Sequence, residues 1–66
     1  MVNVMIEDGN EVIEYVDVEH NILEVATNTD GLLFSCYGTP ILTISQVADL
    51  TAHLLLWVET GSLGKE

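Results

Sequence analysis

Basic residues are almost missing from this chain. Lys65 is the only Lys or Arg among 66 residues, against eleven Asp and Glu, for a formal charge of −10. That balance excludes direct binding of nucleic acid and of anionic membrane surfaces, because phosphate recognition depends on Lys and Arg. Cysteine is equally scarce. Cys36 is alone, so no disulfide forms within the chain. Together with His20 and His53 it stands at no recognisable zinc-ligand spacing, and no metal or cofactor is expected. Long apolar runs are missing too: the longest covers residues 54–58, far short of the ~20 residues a membrane helix needs. The N-terminus lacks the basic segment and apolar stretch of a signal peptide. With an unpaired cysteine, this predicts a cytoplasmic protein.

What is present is a folding composition. Hydrophobic residues make up 48% of the chain and mean hydropathy is +0.38, too apolar for a disordered acidic tail. The length fits one domain spanning residues 1–66. A chain of this size buries only about 60% of the surface its unfolded form exposes, and small chains supplement such thin cores with disulfides, metals or oligomerisation. With the first two missing, a homodimer is expected.

The first 38 residues read as strands at about 2–7, 11–19, 22–27 and 32–37. Val2, Val4 and Ile6 alternate with Asn3, Met5 and Glu7, the period of a half-buried strand. Asp8-Gly9 is a hairpin signal. Residues 11–19 are rich in β-branched and aromatic side chains, and Val16 and Val18 alternate with Asp17 and Glu19. His20-Asn21 and Asn28-Thr29-Asp30-Gly31 are turn sequences, and Gly38-Thr39-Pro40 ends the fourth strand. Short turns between sequential strands predict an antiparallel meander.

A helix follows over about 44–60. Thr43-Ile44-Ser45-Gln46 matches the capping box, Leu42 and Val47 stand at staple positions, and Gly61 suits a left-handed stop. Residues 62–66 are expected to fray. At 100° per residue, Ile44, Val47, Leu50, Leu54, Leu55 and Val58 form an apolar stripe directed at the sheet. Ser45, Gln46, Asp49, His53 and Thr60 lie opposite, on the side expected to face solvent. Leu56 falls among these polar residues and Trp57 at the stripe's edge, which marks them as candidate self-association residues. The expected fold class is α+β: a four-stranded antiparallel meander with one C-terminal helix packed on one face. Strands two and four are apolar on both faces, so the face without the helix should also be covered, by a second copy.

No residue pattern points to catalysis. A pair of carboxylates working as acid and base needs a cleft that separates their pKa values, which so short a chain has little room to build. Cys36 has no neighbouring histidine in sequence and is expected as a small buried hydrophobe. The two Asp/Asn-rich turns lack the twelve-residue calcium-loop pattern.

The acids remain. Eight of the eleven fall within residues 1–30, and a surface built only for solubility normally mixes both signs. Glu11, Glu14, Asp17, Glu19 and Glu24 are therefore the candidate partner-binding set. They would face a basic protein that itself handles nucleic acid, by charge complementarity. The competing reading is a solvated surface that serves solubility and guards the sheet edge, on a homodimeric structural or accessory subunit. In size, acidity and lack of chemical motifs the chain resembles small phage-encoded inhibitors, anti-CRISPR proteins among them. That resemblance is one of composition, and it implies a non-catalytic inhibitor acting by nucleic-acid mimicry.

Overall fold

The computed structural model describes residues 5–7 and 9–64. Tight turns set the sheet. Strand β1 (Met5–Glu7) and β2 (Asn10–Val16) pair antiparallel, with Glu7 opposite Asn10; the expected Asp8-Gly9 hairpin signal includes Asp8, which lies outside the described residues. β3 (Ile22–Asn28) and β4 (Gly31–Tyr37) pair with Asn28 opposite Gly31, leaving Thr29-Asp30 as a two-residue turn. There the Asn28 side chain accepts from the Asp30 amide at 3.0 Å. The strand order is β1-β2-β3-β4, and α1 (Ile44–Thr60) follows. The fold is the expected ββββα meander. The expected first strand reached back to residue 2, and residues 1–4 lie outside the described residues.

Strand β2 stops at Val16, three residues before the expected end. The alternation from Val16 to Glu19 is real in sequence, but Asp17 offers the backbone another set of partners. Its carboxylate accepts from the Glu19 and Asn21 amides at 2.8 and 2.9 Å. His20 takes a left-handed φ of 67°, which completes the turn and leaves Val18 in solvent.

Register gives the two sheet faces. Towards the helix stand Ile13, Val25 and Phe34 in one row and Tyr15, Leu23 and Cys36 in the next. The opposite face carries the rows Met5–Val12–Ala26–Leu33, Glu14–Glu24–Ser35 and Val16–Ile22–Tyr37. Both faces are apolar in part, as the sequence implied. Cys36, expected in the core, is exposed because β4 is an edge strand and the helix does not cover it.

The helix begins and ends where its caps dictate. Gln46 N–H donates to Thr43 Oγ1 at 3.1 Å and Thr43 N–H to Gln46 Oε1 at 2.9 Å. Gly61, at φ 80°, donates its N–H to the Trp57 carbonyl at 2.8 Å. Its rotation corrects the expectation. Leu50, Leu54 and Trp57 pack on the core, but the core-facing side also includes Asp49 and His53, which were expected in solvent. The remaining stripe residues point outward: Ile44 is 89% exposed and Val58 72%, with Val47 and Leu55 also exposed.

The reason is Leu63. Its side chain is 0% exposed and joins Ile13, Tyr15 and Val25 in the buried cluster. The segment after Gly61 therefore does not fray through Gly64; it folds back under the helix. His53 Nδ1–H donates to the Leu63 carbonyl, so this helix side must face the core. Residues 65–66 lie outside the described residues.

Candidate interaction surfaces

The five candidate acids do not form one surface. Glu11 lies on the helix side of β2, where its two oxygens accept from Leu63 N–H at 2.6 Å and from Ser62 Oγ at 2.7 Å. Asp17 is taken up as fully. Beyond the two turn amides, it accepts from Ile41 N–H at 3.0 Å and from the Asn21 side chain at 3.2 Å. The Ile41 amide does most to hold its carboxyl down, at about 2, and the Asn21 and Glu19 donors add to this. Both carboxylates serve the chain's own backbone, a role that composition does not reveal.

Glu14, Glu19 and Glu24 are the ones left to face outward. Glu14 and Glu24 stand directly opposite one another in the β2–β3 ladder, on the face without the helix. Ser35 extends the row. Glu14 is exposed, Glu24 half-buried, and Glu19 exposed in the turn after β2. Like charges directly opposite in a sheet destabilise it. No hydrogen bond to either side chain occurs among the described residues, so the pair returns nothing to the fold.

The two candidate self-association residues are both half-buried. Trp57 packs against the buried cluster. Leu56 sits one position round the helix, on the same side as Asp49 and Thr60.

A polar chain crosses the core's edge. Tyr15 O–H donates to Asp49 Oδ2 at 2.9 Å, and His53 Nε2 lies 3.4 Å from the same oxygen. Burial, then the hydrogen bond and charge of Asp49, push the Tyr15 hydroxyl well above its ordinary value. It therefore stays a neutral donor. With Nδ1 on the Leu63 carbonyl, His53 has both nitrogens engaged inside the protein. The trio is a strut joining sheet, helix and C-terminal segment. Among the described residues no group of three or more His, Cys, Asp or Glu is placed to hold a metal ion. No helix among them is long and apolar enough to cross a membrane.

A groove of about 410 Å³ lies between the β2–β3 turn and the start of the helix, lined by Val16, Asp17, Val18, Glu19, Ile41, Thr43 and Gln46. Of its polar walls, Asp17 is bound to backbone amides and Thr43 and Gln46 to the helix cap, which leaves the Glu19 side chain without a partner among the described residues. Comparison with protein-family models, curated proteins and solved structures finds no match to this chain.

Proposed function

We propose that this chain is a small, non-catalytic acidic binding protein that occupies a basic, nucleic-acid-handling surface of another protein, an inhibitor by nucleic-acid mimicry. The observation that carries the reading is the Glu14–Glu24 pair on the open sheet face. Two carboxylates held opposite each other weaken the ladder, and a cationic surface would relieve that repulsion on docking. Glu19, exposed in the turn after β2, is the third candidate acid that the fold leaves uncommitted. Glu11 and Asp17 support the fold instead, so they take no part in the contact set.

The test neutralises only the uncommitted acids. Glu14→Gln, Glu19→Gln and Glu24→Gln together should leave the fold intact, and removing the cross-strand repulsion should stabilise it by about 0.2–1 kcal/mol. Capture of basic proteins from a lysate should be strong at low salt, weak at high salt, and displaced by added duplex DNA. The triple variant should lose that capture, chiefly through a slower on-rate. Equal capture by wild type and variant would leave the acids as solubilising groups only. The alternative of an accessory subunit predicts that outcome, with the variant precipitating more readily as charge is removed.

A further inference from the structure

One edge of this sheet lacks every ordinary protection. β4 is seven residues long, Gly-Leu-Leu-Phe-Ser-Cys-Tyr, with no charge and no proline. Its register against β3 runs unbroken from Ile22–Tyr37 to Asn28–Gly31 without a bulge. In an antiparallel ladder every second residue turns its N–H and C=O away from the neighbour, so β4 presents a row of backbone groups with no strand beside it among the described residues. Such a row is a ready template for another strand, and soluble proteins blunt it with charge, proline or bulges. Here the side chains beside it are apolar on both faces. Phe34 is 53% exposed on the helix side, and Leu33 and Tyr37 are 52% and 75% exposed on the other.

Charge identifies the occupant. Residues 31–48 contain no Asp, Glu, Lys or Arg. This uncharged stretch covers β4, the connector and the first turn of α1, while eight acids crowd residues 1–30. Two copies of a chain at −10 can approach closely only where both are uncharged. A cationic strand would gain nothing at this edge.

We propose that β4 pairs antiparallel with β4 of a second copy, with Phe34, the middle residue, at the twofold axis. The four-stranded sheets then join into one of eight strands. In that register Asp30 falls opposite the copy's Gly38, so no acid meets an acid across the seam. The axis stands perpendicular to the sheet, which puts both helices on the same side. Asp49 and His53 tie the helix to Tyr15 of β2 and to the Leu63 segment, away from β4. The interface is isologous: each copy uses its one β4, and assembly stops at two.

The unmutated full chain at micromolar concentration should scatter light as a particle of twice the 7.2 kDa chain mass, with slow hydrogen exchange at alternate β4 amides. Dilution should halve the mass and release those amides together. Phe34→Glu places two carboxylates at the axis and should give the single-chain mass with its circular dichroism retained. The Glu14, Glu19 and Glu24 neutralisation should leave the dimer mass unchanged, which separates this interface from the acidic-face reading. A single-chain mass throughout the micromolar range would overturn the proposal. So would a mass that keeps growing with concentration, a folded Phe34→Glu dimer, or β4 protection that does not follow dilution. If Phe34→Glu unfolds, the dilution experiment on the unmutated chain decides alone.

Discussion

Leu63→Ala and Ile44→Ala make an informative pair, because the sequence and the structure rank them oppositely. Ile44 opens the apolar helix stripe, whereas Leu63 stands in a short tail after a helix stop. In the structure Leu63 is fully buried against Ile13, Tyr15 and Val25, and Ile44 is almost wholly in solvent. Truncating a buried leucine costs about 2–5 kcal/mol, the spread set by how far the site collapses. Here the cavity would lie under a non-helical segment held by Glu11 through the Ser62 and Leu63 contacts, which can settle inward more readily than a helix or a paired strand. The lower part of the range, about 2–3 kcal/mol, is therefore expected. Total stability for a chain of this length is of the order of 3–10 kcal/mol, so this one side chain carries a substantial share. Urea unfolding followed by circular dichroism, at one fixed protein concentration, reads the difference. With a slope near 1 kcal/mol per M, the low end for small domains, the midpoint should fall by about 2–3 M. Ile44→Ala, an exposed substitution, should change stability by less than about 0.5 kcal/mol. Equal small losses for both variants, or a larger loss at Ile44, would refute the docking of the C-terminal segment and the helix rotation that depends on it.

Thr43→Ala removes the acceptor for the Gln46 amide and should cost about 0.5–2 kcal/mol; an unchanged urea midpoint would place the helix start elsewhere. Gly38→Ala combines a left-handed φ of 80° with a Cβ that would overlap the Asn21 carboxamide. A non-glycine residue at such a backbone position costs about 1–3 kcal/mol, and an unchanged melting temperature would contradict the geometry. Asp17 has its carboxyl lowered from 3.8 to about 2 in the folded chain. Its contribution is thus fully present above about pH 4 and lost as pH falls towards 2. Asp17→Asn should flatten the acid limb of a pH–stability curve in that window, and an unchanged limb would show that other carboxylates set it.

Local chemistry determined the elements. The Thr29-Asp30 turn, the Thr43–Gln46 capping box and the Gly61 stop are local features, each written in residues close in sequence. The ββββα order follows, because short turns leave sequential strands no other neighbour. The concentration of negative charge before residue 31 is likewise a property of composition alone.

Rotation, commitment and exposure were decided only in three dimensions. The helix stripe was legible as a period, but a period does not say which of two apolar-flanked faces meets the sheet. Leu63, reached across the chain by the Glu11 carboxylate, chose it. The same contact explains why Glu11 could not be distinguished in sequence from Glu14. One carboxylate accepts from the Leu63 amide 52 residues away and from the Ser62 hydroxyl, and the other faces solvent, although the two stand three positions apart. Asp17 ended β2 early by drawing in amides from Glu19, Asn21 and Ile41, the last from a segment 24 residues on. Long-range hydrogen bonds of this kind leave no local pattern, since the acceptor type is common and its donor is backbone. The bare β4 edge is the opposite case. Its residues were legible as a strand, but that it lies outermost, with no strand beside it among the described residues, follows only from the order in which four strands assemble.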